Sequence, residues 1–263
     1  MLLLSCSSEV EHSPDKGRVT GSIPVRTTKI KGDKMKIVIL TGSGISAESG
    51  IPTFRGSDGL WNGFKVEDVA TPEGFKKNKQ LVLDFYNSRR KDVKSVVPND
   101  AHFAIAKLQN SGLHDVTLIT QNVDDLHERA GSKNVLHMHG SLANALCSHC
   151  GEVFPANEVM MVEDACAECG EKTVRPDIVW FGEIPYYMDE IDYKLRHADI
   201  FVSIGTSGNV YPAAGFVKIA KKKKAKTVEL NLEPTGGYHD FSERKIGLAT
   251  KVVPEWVDDI LKM

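Results

Sequence analysis

Four cysteines form two close pairs whose spacing suits a single metal ion. Each pair has the form Cys-x2-Cys, and fifteen residues lie between the pairs. Two such pairs can complete a tetrahedral site of four thiolates, so the spacing predicts a zinc ribbon at 147–169. A redox pair or four unrelated thiols are the alternatives. Because four thiolates leave no open coordination position, we expect the zinc to be structural. The predicted ligands are Cys147, Cys150, Cys166 and Cys169.

A glycine-rich turn follows the first apolar stretch beyond residue 34. Residues 42–47 read GSGISA, which is the G-x-G-x-x-A form of the dinucleotide-binding fingerprint. The residues that follow, 51–56 (IPTFRG), do not continue an ordinary crossover helix. An acidic residue about 20 positions downstream would complete the dehydrogenase pattern, but Glu67 and Asp68 lie in no strand pattern. The sequence therefore predicts a nucleotide site and argues against an ordinary dehydrogenase.

A cluster of polar residues follows a second apolar stretch. Gln121, Asn122 and Asp124 come directly after it, and His139 precedes Gly140 a little further on. Buried polar groups cost free energy unless a partner satisfies them, and an imidazole with a pKa of about 6.5 suits a general base. The alternatives are a structural histidine and turn hydrogen bonds from the Asn and Asp side chains. By themselves these residues predict only a polar cleft.

Apolar runs alternate with helical patterns along most of the chain. This alternation predicts an α/β fold with a Rossmann-like, doubly wound parallel sheet, whose ligand cleft lies at the carboxyl ends of the strands. The predicted strands are 36–40, 115–120, 199–205 and 226–232. The predicted helices are 79–95, 99–110, 187–197, 212–224 and 254–262.

Two stretches interrupt the alternation, and we expect them to form a smaller domain. One is a helical insertion at 56–97, and the other, 140–176, carries the zinc ribbon. The Rossmann-like part then consists of 35–55, 98–139 and 177–263, so that the whole catalytic domain spans 35–263.

Residues 1–34 lack apolar periodicity and are predicted to be a disordered extension. We hypothesise that native translation starts at Met35 and that the extension is not native. The net charge of −2 and the pI of about 6.5 give no basic field for nucleic acid. Apolar runs stay shorter than the roughly 18 residues that span a bilayer. Residues 3–6 (LLSC) faintly resemble a lipoprotein cleavage box, but we expect no export signal because three leucines are too few for its apolar core. A cytoplasmic monomer without nucleic-acid or membrane partners is expected.

From residue 36 onward the sequence resembles the sirtuins, a family of NAD-dependent protein deacylases. Several motifs in one order carry the resemblance. After the glycine-rich turn they are IPTFR at 51–55, QNxD at 121–124, HG at 139–140, the four cysteines, IVWFGE at 178–183, GTS at 205–207 and NLE at 231–233. One departure is Ser43, where the family usually has alanine.

The resemblance implies that NAD is the co-substrate and that acylated-lysine proteins or peptides are the partners. NAD would lie across the 42–47 turn, with its pyrophosphate near a helix N-terminus, and residues 179–183 would pair with an extended peptide. His139 is implied as the general base that acts on a ribose hydroxyl. The implied products are nicotinamide, free lysine and 2′-O-acyl-ADP-ribose.

The remaining site residues also follow from the resemblance. The implied cofactor-binding residues are Gly42, Ser43, Gly44, Ala47, Phe54, Arg55, Trp61, Gln121, Asn122, Val123, Asp124, Gly205, Thr206, Ser207, Asn231, Leu232, Glu233 and Ala249. The implied substrate-binding residues are Tyr86, Arg89, Val179, Phe181, Gly182 and Glu183.

Tyr86 and Arg89 allow a finer expectation about the acyl group. They lie three positions apart in a predicted helix and therefore share one face. A hydroxyl and a guanidinium together can bind a carboxylate, and this pair resembles the bacterial class III branch that removes succinyl and malonyl groups. The alternative is an Arg89 that merely pairs with a nearby acid.

The expected function is NAD-dependent removal of succinyl, malonyl and acetyl groups from protein lysines. One alternative is a mono-ADP-ribosyltransferase that uses the same cleft. Another is a zinc-ribbon module that binds nucleic acid, which the acidic character of 140–176 disfavours, because Lys172 and Arg175 are its only basic residues apart from histidine.

Overall fold

In the computed structural model, residues 34–53, 61, 63–236 and 240–263 are described. A six-stranded sheet, parallel throughout, lies at the centre in the order β3-β2-β1-β7-β8-β9. Its strands are β1 (Lys36–Thr41), β2 (Asp115–Thr120), β3 (Leu136–His137), β7 (Ile200–Ile204), β8 (Lys226–Asn231) and β9 (Glu243–Ile246). The predicted Rossmann-like α/β class is confirmed.

The parallel sheet is covered on both faces, as its apolar strands require. Within β1 the side chains alternate between two cores because successive residues of a strand point to opposite faces. Ile37 and Ile39 pack in the cluster that contains helices α4 (Asp100–Asn110) and α8 (Ala249–Leu261). Val38 and Leu40 pack in the cluster that contains α6 (Met188–His197) and α7 (Phe216–Lys222).

A second, antiparallel sheet has the order β5-β4-β6, and the four cysteines lie at the end of β4 and in the connections between its strands. Its strands are β4 (Gly140–Cys147), β5 (Val153–Pro155) and β6 (Val174–Ile178). Strand β6 runs across the predicted boundary at 176–177. The proposed division into two domains with these bounds stays a prediction.

The remaining helices pack against this second sheet or connect the strands of the first. They are α1 (Val66–Val69), α2 (Pro72–Lys77), α3 (Lys79–Ser95) and α5 (Leu126–Arg129). One buried cluster joins Val69, Phe85 and Tyr86 to Leu142 and Ile178, so α1 and α3 share a core with β4 and β6. None of the helices in the described part of the chain is long and apolar enough to cross a membrane.

Two predicted helices have different bounds in the structure. The helix predicted at 212–224 is shorter, with a 3-10 turn at Ala213–Gly215 followed by α7. The helix predicted at 254–262 begins earlier, at Ala249, and Pro254 lies inside it. The earlier start is stabilised by Glu48, whose carboxylate accepts hydrogen bonds from the backbone N–H (3.0 Å) and the hydroxyl (2.7 Å) of Thr250.

Candidate active site

One cleft of about 890 Å³ lies at the carboxyl ends of the parallel strands. Every predicted catalytic, cofactor-binding and substrate-binding residue that the structure describes lines it. Phe54 and Arg55 fall outside the described residues. The motifs therefore converge in space, although they lie as far apart in sequence as Gly42 and Ala249.

The glycines of the 42–47 turn allow two strand-to-helix turns to approach closely. A Cβ atom on Gly44 would lie 2.7 Å from the Cα of Gly205, and one on Gly205 would lie 2.5 Å from the Ile45 nitrogen. The Gly44 N–H donates to the Gly205 carbonyl at 2.9 Å. The turn continues as short 3-10 turns, Ser43–Ile45 and Ala47–Ser49. The expected helix N-terminus for the pyrophosphate is therefore formed by two short 3-10 turns rather than by an α-helix.

His139 has a defined tautomer. Its Nδ1 lies 3.1 Å from the Gln121 carbonyl oxygen, which can only accept a hydrogen bond, so Nδ1 carries the proton and Nε2 keeps its lone pair. Burial lowers the pKa of His139 below its ordinary value, although the backbone hydrogen bond opposes this change. The imidazole is thus neutral at pH 7 and has one basic nitrogen, as a general base requires.

Asn122 and Asp124 are held by hydrogen bonds that converge on Ser46. The Asn122 amide donates to the Ser46 hydroxyl (3.2 Å) and to the Gly42 carbonyl (3.2 Å). Ser46 donates to Asp124 Oδ2 (3.1 Å), while Oδ1 accepts the Leu126 N–H (3.2 Å). Burial raises the pKa of Asp124, and these hydrogen bonds limit the rise. The expected turn bond of Asp124 exists, and both side chains also line the cleft.

Two buried histidines, His102 and His127, lie next to this hydrogen-bond network. His102 accepts the Asn99 N–H at Nδ1 (3.3 Å), so its protonated Nε2 faces the Ser46 hydroxyl at 3.5 Å. His127 lies against the His102 ring, with a centroid separation of 4.9 Å, and its Nε2 lies 3.0 Å from the Thr41 hydroxyl. Burial lowers the pKa of His102 to about 4 and that of His127 well below its ordinary value. Both rings are therefore neutral supports.

The predicted acyl-recognition pair lies on α3, inside the cleft. Tyr86 is fully buried, and its hydroxyl oxygen accepts the Trp180 indole N–H at 3.0 Å. Burial raises the pKa of Tyr86, so the hydroxyl keeps its proton and can donate it. Arg89 pairs with Asp92 at 2.5 Å, and its buried Nε has no hydrogen-bond partner among the described residues. Arg89 therefore pairs with a nearby acid, as the alternative expects, and also lies in the cleft, as the acyl-recognition prediction expects.

Residues 179–183 do not form the expected extended edge. Strand β6 ends at Ile178, and a turn follows in which Gly182 has φ +95° and the Glu183 N–H donates to the Trp180 carbonyl at 3.0 Å. The N–H groups of Val179 and Phe181 are bonded to the carbonyls of His139 and Ala70. A peptide bound here must therefore pair mainly with carbonyl oxygens.

The nucleoside end of the cleft is built from the turns after β7 and β8. The Asn231 amide donates to the Thr206 carbonyl at 2.8 Å, which ties the two turns together. Buried Glu229 accepts the Thr235 N–H at 2.9 Å and so fixes the loop that carries Glu233.

The four cysteines form one compact group. Their sulfur atoms all lie within 4.8 Å of one another, with 3.6 Å between Cys147 and Cys169 and 3.8 Å between Cys150 and Cys166. A tetrahedron of thiolates at about 2.3 Å from zinc has edges of about 3.8 Å. These separations fit zinc and exclude disulfides, whose S–S length is about 2.05 Å. The donor set therefore matches the predicted structural site.

The two cysteine pairs repeat one local structure. In each, the first cysteine's carbonyl accepts an N–H from the glycine four residues later, Gly151 in one pair and Gly170 in the other. Both glycines have positive φ, +80° and +76°. The repeated Cys-x2-Cys-Gly-Glu sequence thus folds twice into the same knuckle, which brings each pair of sulfur atoms together.

A family model described as the Sir2 family matches residues 42–212. This chain belongs to the Sir2 family. The NAD-dependent protein deacylase of Escherichia coli K12 is 53% identical over 233 residues, covering 88% of this chain and 84% of that protein. The NAD-dependent protein deacylase SIR2rp3 of Leishmania major is 56% identical over 232 residues, covering 86% and 96%.

Solved Sir2 structures have the same fold. A Sir2 homologue in complex with NAD has a TM-score of 0.79 and 40% identity, covering 87% of this chain and 90% of that one. Sir2Af2 bound to a myristoylated histone peptide has a TM-score of 0.66 and 35% identity, covering 86% and 91%. The predicted family is confirmed.

Sequence reasoning missed several residues of this Sir2 site. Ser46 lies within the glycine-rich motif but gives no signal of its contact with His102, because that contact joins positions 56 residues apart. Trp180 lies in a recognised motif, yet its hydrogen bond to Tyr86 depends on the packing of α3 against the turn after β6. Asp92 carries no motif at all, although it lines the cleft.

Proposed function

We propose that this chain is an NAD-dependent protein-lysine deacylase that acts on acylated-lysine proteins or peptides. The convergence of separate motifs in one cleft around a neutral His139 carries this proposal. Relatives that are identical to this chain at more than half of the aligned positions are NAD-dependent protein deacylases. This similarity favours deacylation over mono-ADP-ribosyl transfer. The monomeric state and the cytoplasmic location stay predictions.

The cleft has groups suited to both ends of NAD. The backbone N–H groups and small side chains of 42–47 are proposed to accept the pyrophosphate, and Asn231 and Glu233 the adenosine ribose. Asn122 and Asp124 are proposed to hold the nicotinamide end. When bound, NAD would supply the ribose carbon that accepts the acyl oxygen as nicotinamide leaves, and one water molecule would be consumed in releasing free lysine and 2′-O-acyl-ADP-ribose.

His139 is proposed to take a proton at Nε2 from a ribose hydroxyl. The Gln121 carbonyl holds the opposite nitrogen protonated, so the ring accepts the proton without changing tautomer. Because burial lowers the pKa of His139, the basic form is present at pH 7 and the rate should fall only at acidic pH, below about 6.5.

The acyl subsite is proposed to accept succinyl and malonyl groups as well as acetyl. The Tyr86 hydroxyl oxygen accepts a hydrogen bond from the Trp180 indole N–H. The hydroxyl proton is therefore left to donate to another acceptor. Arg89 contacts Asp92 through Nη2 and adds its remaining guanidinium N–H donors. Together they can bind an acyl carboxylate.

The test is an assay of purified protein with NAD and two matched peptides, one succinylated and one acetylated on lysine, followed by mass spectrometry. We expect NAD-dependent loss of both groups, and a loss of about 100-fold or more for His139→Ala. Arg89→Met should reduce desuccinylation far more than deacetylation. Equal reduction of both would contradict the acyl subsite, and ADP-ribose attached to protein without deacylation would contradict the proposed function.

A further inference from the structure

Asp92 shares the acyl end of the cleft with Arg89. It lies one helical turn after Arg89 on α3, and both side chains line the cleft. Its Oδ2 is 2.5 Å from Arg89 Nη2. The Arg89 side chain is 13% exposed and that of Asp92 is 47% exposed. A carboxylate of the protein itself therefore occupies part of the group that would bind an acyl carboxylate.

Arg89 is held by packing in addition to its contact with Asp92. Its side chain is largely buried, and its guanidinium lies 5.8 Å from the centre of the Phe85 ring. Its Nε is enclosed and has no hydrogen-bond partner within the described part of the chain. A guanidinium has five N–H donors, and a carboxylate binds best when it takes two of them at once. The arginine is thus fixed by packing, with donors left for a second anion.

We propose that Asp92 is a specificity-determining residue that competes with the acyl carboxylate for Arg89. The inference rests on the proposed function. With Asp92 in place the subsite is close to neutral, so an uncharged acyl chain does not meet an uncompensated cation. An acidic acyl chain must share Arg89 with Asp92 or displace it. Displacement is accessible because the Asp92 side chain is half exposed, so water can solvate its carboxylate once it leaves Arg89.

This arrangement would allow the same cleft to bind both acidic acyl groups, such as succinyl and malonyl, and the neutral acetyl group. Removal of the Asp92 charge should leave Arg89 as an uncompensated cation beside Tyr86. Binding of succinyl-lysine should then strengthen, because the succinyl carboxylate is no longer repelled by the Asp92 carboxylate and can take two guanidinium donors of Arg89. Binding of a neutral chain of the same length should weaken or stay unchanged.

The experiment compares wild type, Asp92→Asn and Asp92→Ala with succinyl-, butyryl- and acetyl-lysine peptides of one sequence. Butyryl has the same four-carbon chain as succinyl without the carboxylate. The control is Asp192→Asn, which removes an acid paired with Arg196 at 2.5 Å on α6, outside the cleft. KM and kcat are measured with NAD, and peptide Kd by calorimetry without NAD.

We expect both Asp92 variants to lower KM and Kd for the succinyl peptide about tenfold, the ratio that one charge-assisted hydrogen bond typically gives. For the butyryl and acetyl peptides, KM and Kd should change less than twofold or should rise. The Asp192→Asn control should change KM and Kd less than twofold for every peptide. Weaker succinyl binding in the variants would show that Asp92 supports Arg89 and would overturn the inference, as would equal changes for all peptides. Inactivity of wild type on every peptide would refute the proposed function alone, because the Kd values still test the competition.

Discussion

At the residue scale, Gly140 determines where His139 lies. Gly140 has φ +81°, and a Cβ at this position would lie 2.0 Å from the Asp177 carbonyl oxygen. The His139 carbonyl accepts the Val179 N–H at 3.0 Å, so the same antiparallel pairing of β4 and β6 positions the base. An alanine would add left-handed strain and a backbone clash, and β4 would have to move away from β6.

We therefore predict that Gly140→Ala lowers the free energy of unfolding by about 3 kcal/mol or more and reduces deacylation strongly. The matched control is Gly131→Ala, because Gly131 has φ +96° but nothing within 4 Å of its Cβ position. The control should cost only about 1 kcal/mol. Urea unfolding measures both, and equal losses would show that the clash is relieved by a small shift.

At the scale of elements, the two knuckles should require their metal to stay folded. Cys147 and Cys166 are buried beside Met160 and Val174, so the metal site and the small core form one unit. We predict one zinc per chain, lost in Cys150→Ser because three thiolates bind far more weakly. Metal analysis together with the melting temperature tests this. Zinc well below one per wild-type chain would refute the structural site.

The bounds of the strands and helices show which parts of the fold can be predicted from the sequence. Strand β2 has the predicted bounds because its sequence, DVTLIT, is largely apolar and its last three residues are buried in the sheet. Strand β9 was missed because its residues, Glu243–Ile246, include one apolar side chain. The start of α8 was misplaced because Pro254 looks like a helix start, while the stabilising Glu48 is 202 residues away from Thr250. Patterns within one segment are visible in sequence, and contacts between segments are not.

The same limit applies to the site. Residues next to strand ends could be predicted because parallel strands bring their carboxyl ends to one edge. Asp92 and His102 could not, because their roles depend on how α3 and α4 pack against other segments. The extended edge at 179–183 was implied by the family resemblance, whereas in the structure Gly182, with φ +95°, reverses the chain.

At the scale of the whole molecule, the buried histidines should make stability depend on pH. The folded state holds the pKa of His102 at about 4 by burial, whereas an unfolded histidine titrates at about 6.5. Between these values the unfolded chain binds a proton that the folded chain does not. Stability is therefore complete above pH 6.5 and is lost as the pH falls towards 4, by about 3 kcal/mol from this residue. His127 acts in the same direction.

We predict that His102→Gln makes unfolding less sensitive to acid, because glutamine can still donate to Ser46 but does not titrate. Between pH 7.5 and pH 5 the variant should lose about 2 kcal/mol less stability than wild type. The control is His197→Gln, since His197 is exposed at the end of α6. Urea unfolding at both pH values gives the comparison. If all three proteins lose the same stability, acid sensitivity arises from other groups, and the His102 ring must then be able to take a proton in the folded state.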